Sequence, residues 1–106
     1  MKKKGAVNET KENSISLPEY ELRLFITGVT PNSVRAINNI RHICESYLKG
    51  RYELQIIDVY QDTALAQQEQ IIALPLLIKK FPLPERKLIG DLSETKKVLN
   101  ALGVNV

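Results

Sequence analysis

Hydrophobic and polar residues alternate from Tyr20 onward, with Tyr20, Leu22, Leu24 and Ile26 separated by Glu21 and Arg23. A period of two predicts a strand over Tyr20–Thr27. Phe25 breaks the polar face, so both sides of this strand become covered toward its end. From Val34 the period lengthens: Val34, Ile37, Ile40, Ile43/Cys44 and Tyr47 recur every three or four residues, which is a helix with one apolar stripe. Thr30-Pro31-Asn32-Ser33 supplies its start, since a hydroxyl or amide accepts from an orphan N–H and proline fits the first helical position. Lys49-Gly50 ends it, with Gly50 suited to the left-handed C′ position. Tyr52–Val59 alternates again, Leu54 and Ile56 to one side and Ile57 and Val59 to the other. Two strands separated by a helix form a right-handed parallel βαβ unit.

The second half is patterned less strongly. Asp62 caps a short helix through about Ile72, where Ala64, Leu65, Ile71 and Ile72 give only a loose stripe. Pro75 ends it, Leu76–Ile78 forms a buried strand, and Pro82-Leu83-Pro84 forces an extended turn. Arg86–Ile89 before Gly90-Asp91 reads as a fourth strand. Ser93 is placed as the N-cap of a last helix, with Glu94 in its first turn and Val98, Leu99 and Leu102 on one face. The order is βαβαββα, the thioredoxin arrangement of an α/β fold. Apolar runs this brief also allow a re-registered second half.

Composition narrows the class. The chain has 106 residues, 43% hydrophobic and 25% charged, enough for a single modest core. Residues 1–18 are polar and charged, predicting a mobile N-terminal arm, and the domain runs over residues 19–106. Fifteen Lys+Arg against twelve Asp+Glu leave a net charge of +3, too small and too mixed for a nucleic-acid footprint. No apolar run approaches the roughly 20 residues that span a bilayer. Lys2-Lys3-Lys4 resembles the start of a leader, but the polar stretch Asn8–Asn13 allows no apolar core for one, so a cytoplasmic location is expected.

Candidate chemistry is sparse. In a thioredoxin-type fold the redox thiols sit at the positions of Thr30 and Ser33, and a cis-proline sits at Pro75. Hydroxyls occupy both thiol positions here, and a nucleophile needs an adjacent base that the sequence does not supply, so Thr30 and Ser33 read as cap and turn residues. Leu74-Pro75 is expected to be cis, because the chain must reverse tightly between a helix and the next strand. His42 has no second histidine or thiol cluster with which to hold a metal. Cys44 packs as a small hydrophobe beside Ile40 and Ile43. Asp58 reads as a hydrogen-bonding residue at a strand end, and Gly90-Asp91 as a turn. No catalytic residue, metal or cofactor is expected. Lys79, Lys80, Arg86 and Lys87 gather around the proline turn and suit either an acidic partner surface or solvent.

Thr30-Pro31-Asn32-Ser33, Ile56-Ile57-Asp58-Val59, Leu74-Pro75, and Pro82-Leu83-Pro84 through Ile89-Gly90-Asp91-Leu92-Ser93 together resemble the KaiB family of the Kai clock system over about residues 20–102. The resemblance implies a regulatory binding protein that is not an enzyme. Its thioredoxin-like state docks on the hexameric ATPase KaiC and affects output histidine kinases. A ground state assembles as a homodimer or homotetramer with its second half rearranged to βαββααβ.

The implied partner-binding residues are Glu53, Gln55, Asp62, Gln70, Lys79, Arg86 and Lys87. Thr30, Pro31, Ser33, Pro75 and Ala101 are the implied structural positions. Clock members typically carry a small residue and then a lysine where this chain has Glu53 and Gln55, lysine at Gln70, and glycine at Ala101. The first three differences shift local charge toward negative, which suits a changed partner such as a sensor kinase or stress regulator, with a role in stress adaptation.

Overall fold

The computed structural model describes residues 17–69 and 73–104. Most of the predicted N-terminal arm, Gln70, Ile71 and Ile72 lie outside the described residues. The elements run β1 (Tyr20–Ile26), α1 (Pro31–Tyr47), β2 (Tyr52–Asp58), α2 (Thr63–Gln68), β3 (Leu76–Phe81), β4 (Arg86–Ile89) and α3 (Thr95–Leu102), the expected βαβαββα order. They form one sheet in the order β2-β1-β3-β4. β1 pairs parallel with β2, from Tyr20 opposite Tyr52 to Ile26 opposite Asp58. β3 runs antiparallel to β1 with a register shift between Glu21 and Leu22, and antiparallel to β4.

The alternation in β1 sorts the core into two layers. Tyr20, Leu22, Leu24 and Ile26 join Ala36, Ile40, Ile43 and Cys44 of α1 and Val98, Leu99 and Leu102 of α3 on one side of the sheet. Phe25 faces the other side with Ile57, Leu76 and Ile78, where Leu65 of α2 packs. α2 has six residues and buries none of them fully, yet Phe25, Ile57, Leu76 and Ile78 on this second face are all buried.

Several boundaries differ from the sequence reading. The buried stripe of α1 is Ser33, Ala36, Ile40, Ile43 and Cys44. Val34, at about 100° per residue, sits about 120° around the helix from Ile40 and is 40% exposed. Tyr47 closes the last turn and stays outside as well. The helix ends at a Leu48 cap, so Gly50 takes its left-handed conformation (φ 76°) two residues beyond the cap rather than at C′. α2 ends at Gln68, short of Ile72, and β3 extends past Ile78 to Phe81.

The N-cap of α3 is Glu94, with no side-chain bond to the helix, rather than Ser93. Ser93 is diverted because its backbone N–H donates to Asp91 Oδ1 at 3.1 Å. This local turn places Leu92 at φ 63°, a left-handed conformation costly for a branched side chain, while the side chain is buried in the core.

Candidate functional site

The end of β1 and the start of α1 form the polar centre of one end of the molecule. Gly28 (φ 56°) turns the chain into Thr30, whose Oγ1 accepts from the Ser33 N–H at 3.1 Å and caps α1. The Thr30 hydroxyl in turn donates to Ser33 Oγ at 2.9 Å, and Ser33 Oγ accepts from the Thr27 N–H at 3.3 Å. Leu74-Pro75 is cis, as are Phe81-Pro82 and Leu83-Pro84. Thr27, Thr30, Pro31, Asn32, Leu74 and Pro75 line an open groove of about 360 Å³. Thr30, Pro31, Ser33 and Pro75 are thus brought together at this end of the sheet.

No base among the described residues activates these hydroxyls. Ser33 is buried, and its oxygen is committed to the Thr27 amide and the Thr30 hydroxyl. Asp58 accepts from the Tyr60 N–H at 2.9 Å, the strand-end role read from sequence. His42 is exposed on α1. Cys44 is buried, and loss of hydration, with Glu45 adding repulsion, pushes its thiol up to about 12. No group of three or more His, Cys, Asp or Glu among the described residues is placed to hold a metal.

Glu53 and Gln55 are exposed on β2, which among the described residues pairs only with β1 and is therefore an edge of the described sheet. The start of this edge is tied to α1, where Glu45 accepts from the Tyr52 hydroxyl at 2.6 Å and raises the phenol to about 12. Asp62 caps α2 by accepting from the Leu65 N–H, and its own N–H donates to the Asp58 carbonyl at the end of β2.

Glu69 is an organising residue that the sequence reading missed. Its Oε2 lies 3.3 Å from Arg23 Nη1 and 2.9 Å from Lys80 Nζ, and Lys80 reaches Glu85 at 3.3 Å. These bonds raise Lys80, Glu69 being the larger cause. Residues 23, 69 and 80 meet only because β1 and β3 are neighbours, so no local spacing announces the cluster.

The basic residues of the proline turn separate into two kinds. Arg86 and Lys87 are exposed on β4, the opposite sheet edge. Lys79 is not on the surface as expected: it is 5% exposed, because alternation along β3 puts it on the α1/α3 side with Leu77. Burial, and then the nearby Arg86, lower its affinity for its proton. Ala101 is half-buried in α3.

The Gly90–Ser93 segment is fixed to α1. Asn39 Nδ2 donates to the Asp91 carbonyl at 2.8 Å, and Arg35 Nε donates to Asp91 Oδ2 at 3.3 Å, while the Arg35 guanidinium also meets Asn32. Gly90 N–H donates to the Pro75 carbonyl at 3.0 Å, which joins the same segment to the cis-proline loop.

A KaiB domain family model matches residues 23–104. The circadian clock oscillator protein KaiB of a Picosynechococcus species is 49% identical over 83 residues, covering 78% of this chain and 80% of that protein. KaiB of Synechococcus elongatus is 47% identical, covering 78% and 81%. Among solved structures, the N-terminal domain of Synechococcus elongatus SasA superposes with a TM-score of 0.65 at 22% identity, covering 82% of each chain. Mitochondrial thioredoxin 3 of Saccharomyces cerevisiae, in its oxidized form, gives 0.66 at 11% identity over 81% of this chain and 78% of that one. At those identities the two structures establish a thioredoxin-like fold.

Proposed function

Because the chain belongs to the KaiB family, we propose that it is a non-catalytic regulatory binding protein of a Kai-type system, docking on a KaiC-like hexameric ATPase ring and modulating its signalling or timing. The observation that carries this reading is the exposed β2 edge, whose unpaired backbone groups and side chains Glu53 and Gln55 offer a recognition surface. The base-free hydroxyl pair Thr30–Ser33 supports binding rather than bond-making. Asp62, which follows β2 and is tied to its end through the Asp58 carbonyl, belongs to the same proposed surface.

In this reading the βαβαββα arrangement is the binding state, and a βαββααβ ground state, dimeric or tetrameric, competes with it. A binding state populated at a small fraction weakens apparent affinity by that fraction, so exchange between folds acts as a delay. The protein works in the cytoplasm.

Calorimetric titration of the chain into a cyanobacterial-type KaiC hexamer tests the reading. Saturable binding is expected, and it strengthens when Glu53→Ala and Gln55→Lys are combined. Absence of binding by both proteins rejects the ring as the partner.

Glu53 and Gln55 also favour a second reading, in which the same surface serves a sensor kinase or a stress regulator. Affinity capture from the source cells, with and without a KaiC homologue present, separates the two.

A further inference from the structure

The sheet has a second open edge, and its chemistry is the opposite of the first. Among the described residues β4 pairs only with β3, so one row of N–H and C=O groups along Arg86–Ile89 faces away from the sheet. Cross-strand pairing fixes where its side chains lie. Arg86 is opposite Lys79 and Lys87 opposite Ile78, which puts the guanidinium on the α1/α3 side and the Lys87 ammonium on the α2 side.

Charge on this hairpin is not balanced. Lys80 is neutralised by Glu69 and Glu85. Lys79, Arg86 and Lys87 have no carboxylate within ion-pair distance among the described residues. For Lys79 this is unusual, because it is 95% withdrawn from solvent and its directly opposed neighbour is another cation. A buried ammonium without a counter-ion is costly, and like charges directly opposite each other in a sheet destabilise it. The lowered proton affinity of Lys79, caused first by burial and then by Arg86, is the response to that placement. At the far end of the strand Ile89 is 55% exposed, an apolar position beside the basic ones.

We propose that the outer edge of β4 docks an extended acidic segment of a partner protein, which adds a fifth strand beside Arg86–Ile89 and brings a carboxylate to the Lys79–Arg86 pair. The backbone ladder supplies affinity that is indifferent to sequence. Arg86 on one face and Lys87 on the other select acids at successive positions, and Ile89 receives an apolar side chain at the end of the segment. This surface lies across two intervening strands from Glu53 and Gln55, so it is separate from the proposed ring-binding edge.

The test uses the full chain alone, with no ATPase ring, so its outcome does not depend on the ring-binding reading. The probe is an eight-residue peptide of valines with a central Asp-Asp pair, which presents one carboxylate to each face of the sheet, with a Lys-Lys version as control, followed by amide NMR. The acidic peptide is expected to shift the amides of residues 86–89, with binding at least tenfold weaker for Arg86→Glu combined with Lys87→Glu. Binding should also weaken several-fold between 50 and 300 mM salt. Lys79→Met, which keeps the side-chain volume, should weaken it without changing the dispersion of the spectrum.

The proposal is overturned by no binding at 1 mM peptide, by equal binding of the lysine peptide, or by shifts confined to residues 52–58. It is overturned too if the free chain, without peptide, shows salt-sensitive self-association that shifts residues 52–58 and 86–89 together. That result would make a second copy's Glu53 edge the occupant.

Discussion

Asn39, in the middle of α1, donates its side-chain amide to the backbone carbonyl of Asp91 across 2.8 Å and 52 residues of sequence. This bond and the Arg35–Asp91 contact hold the strained Leu92 turn from which α3 starts. The two contacts are unequal. Arg35 is exposed and Asp91 partly so, and such a solvated pair is largely screened. Asn39 is half-buried and serves a main-chain carbonyl, so Asn39→Ala should cost about 1–2 kcal/mol in urea unfolding and Arg35→Gln well under 1. Equal losses would show that the ion pair rather than the amide holds the turn.

The hydroxyl pair at the start of α1 should be structural. Thr30→Ala removes an N-cap and should cost about 0.5–2 kcal/mol. Ser33→Ala leaves the Thr27 amide without its acceptor in a buried site, a loss of about 1–3 kcal/mol. Thermal unfolding of both variants checks this, and binding to the proposed ring, measured on the folded fraction, should be unchanged. A loss of ring binding without a loss of stability would make the groove a binding site.

Acid should act through Asp91. The Ser93 hydroxyl and backbone N–H, with Arg35 adding, hold its carboxyl below the usual carboxylate range. A depressed native value means the stabilising contribution is fully present above the unfolded value of about 4 and is lost as pH falls through the lower native value. Stability measured by denaturant titration should therefore decline below about pH 4, and Asp91→Asn should flatten that part of the profile. An unchanged profile would assign the acid sensitivity to other carboxylates.

Residue 101 should bias the proposed exchange between folds. Ala101 lies inside α3, and alanine favours helix over glycine by about 0.8–1.0 kcal/mol. Because alanine is also the less costly residue in a strand, the differential is smaller, a factor of about two to four in population. Solution NMR of the free protein should show the thioredoxin-like fraction falling in Ala101→Gly. If only the βαββααβ pattern appears in both proteins, residue 101 is not the determinant.

By itself the sequence determined the βαβ order of the first half and the absence of thiols at the start of α1, and it left the second half open between βαβαββα and a re-registered arrangement. Strict alternation in β1, the cap and proline at Thr30-Pro31, and the Leu74-Pro75 reversal are local signals, and local signals survive without knowledge of neighbours. The parallel pairing of β1 with β2 was legible for a related reason: one βαβ crossover leaves its second strand in the same sheet as the first.

Tertiary structure decided what depends on which strands become neighbours. The sequence places Lys79 among four basic residues of a turn, and only the alternation of a β3 extended to Phe81 turns it inward, opposite Arg86. Glu69 gathers Arg23 and Lys80 only because β1 and β3 are adjacent. Ser93 has the right side chain for a cap, but the Asp91 carboxylate captures its N–H and shifts the cap to Glu94. In each case a contact between separate elements, or a stronger competing acceptor, outweighed a local preference of about 1 kcal/mol.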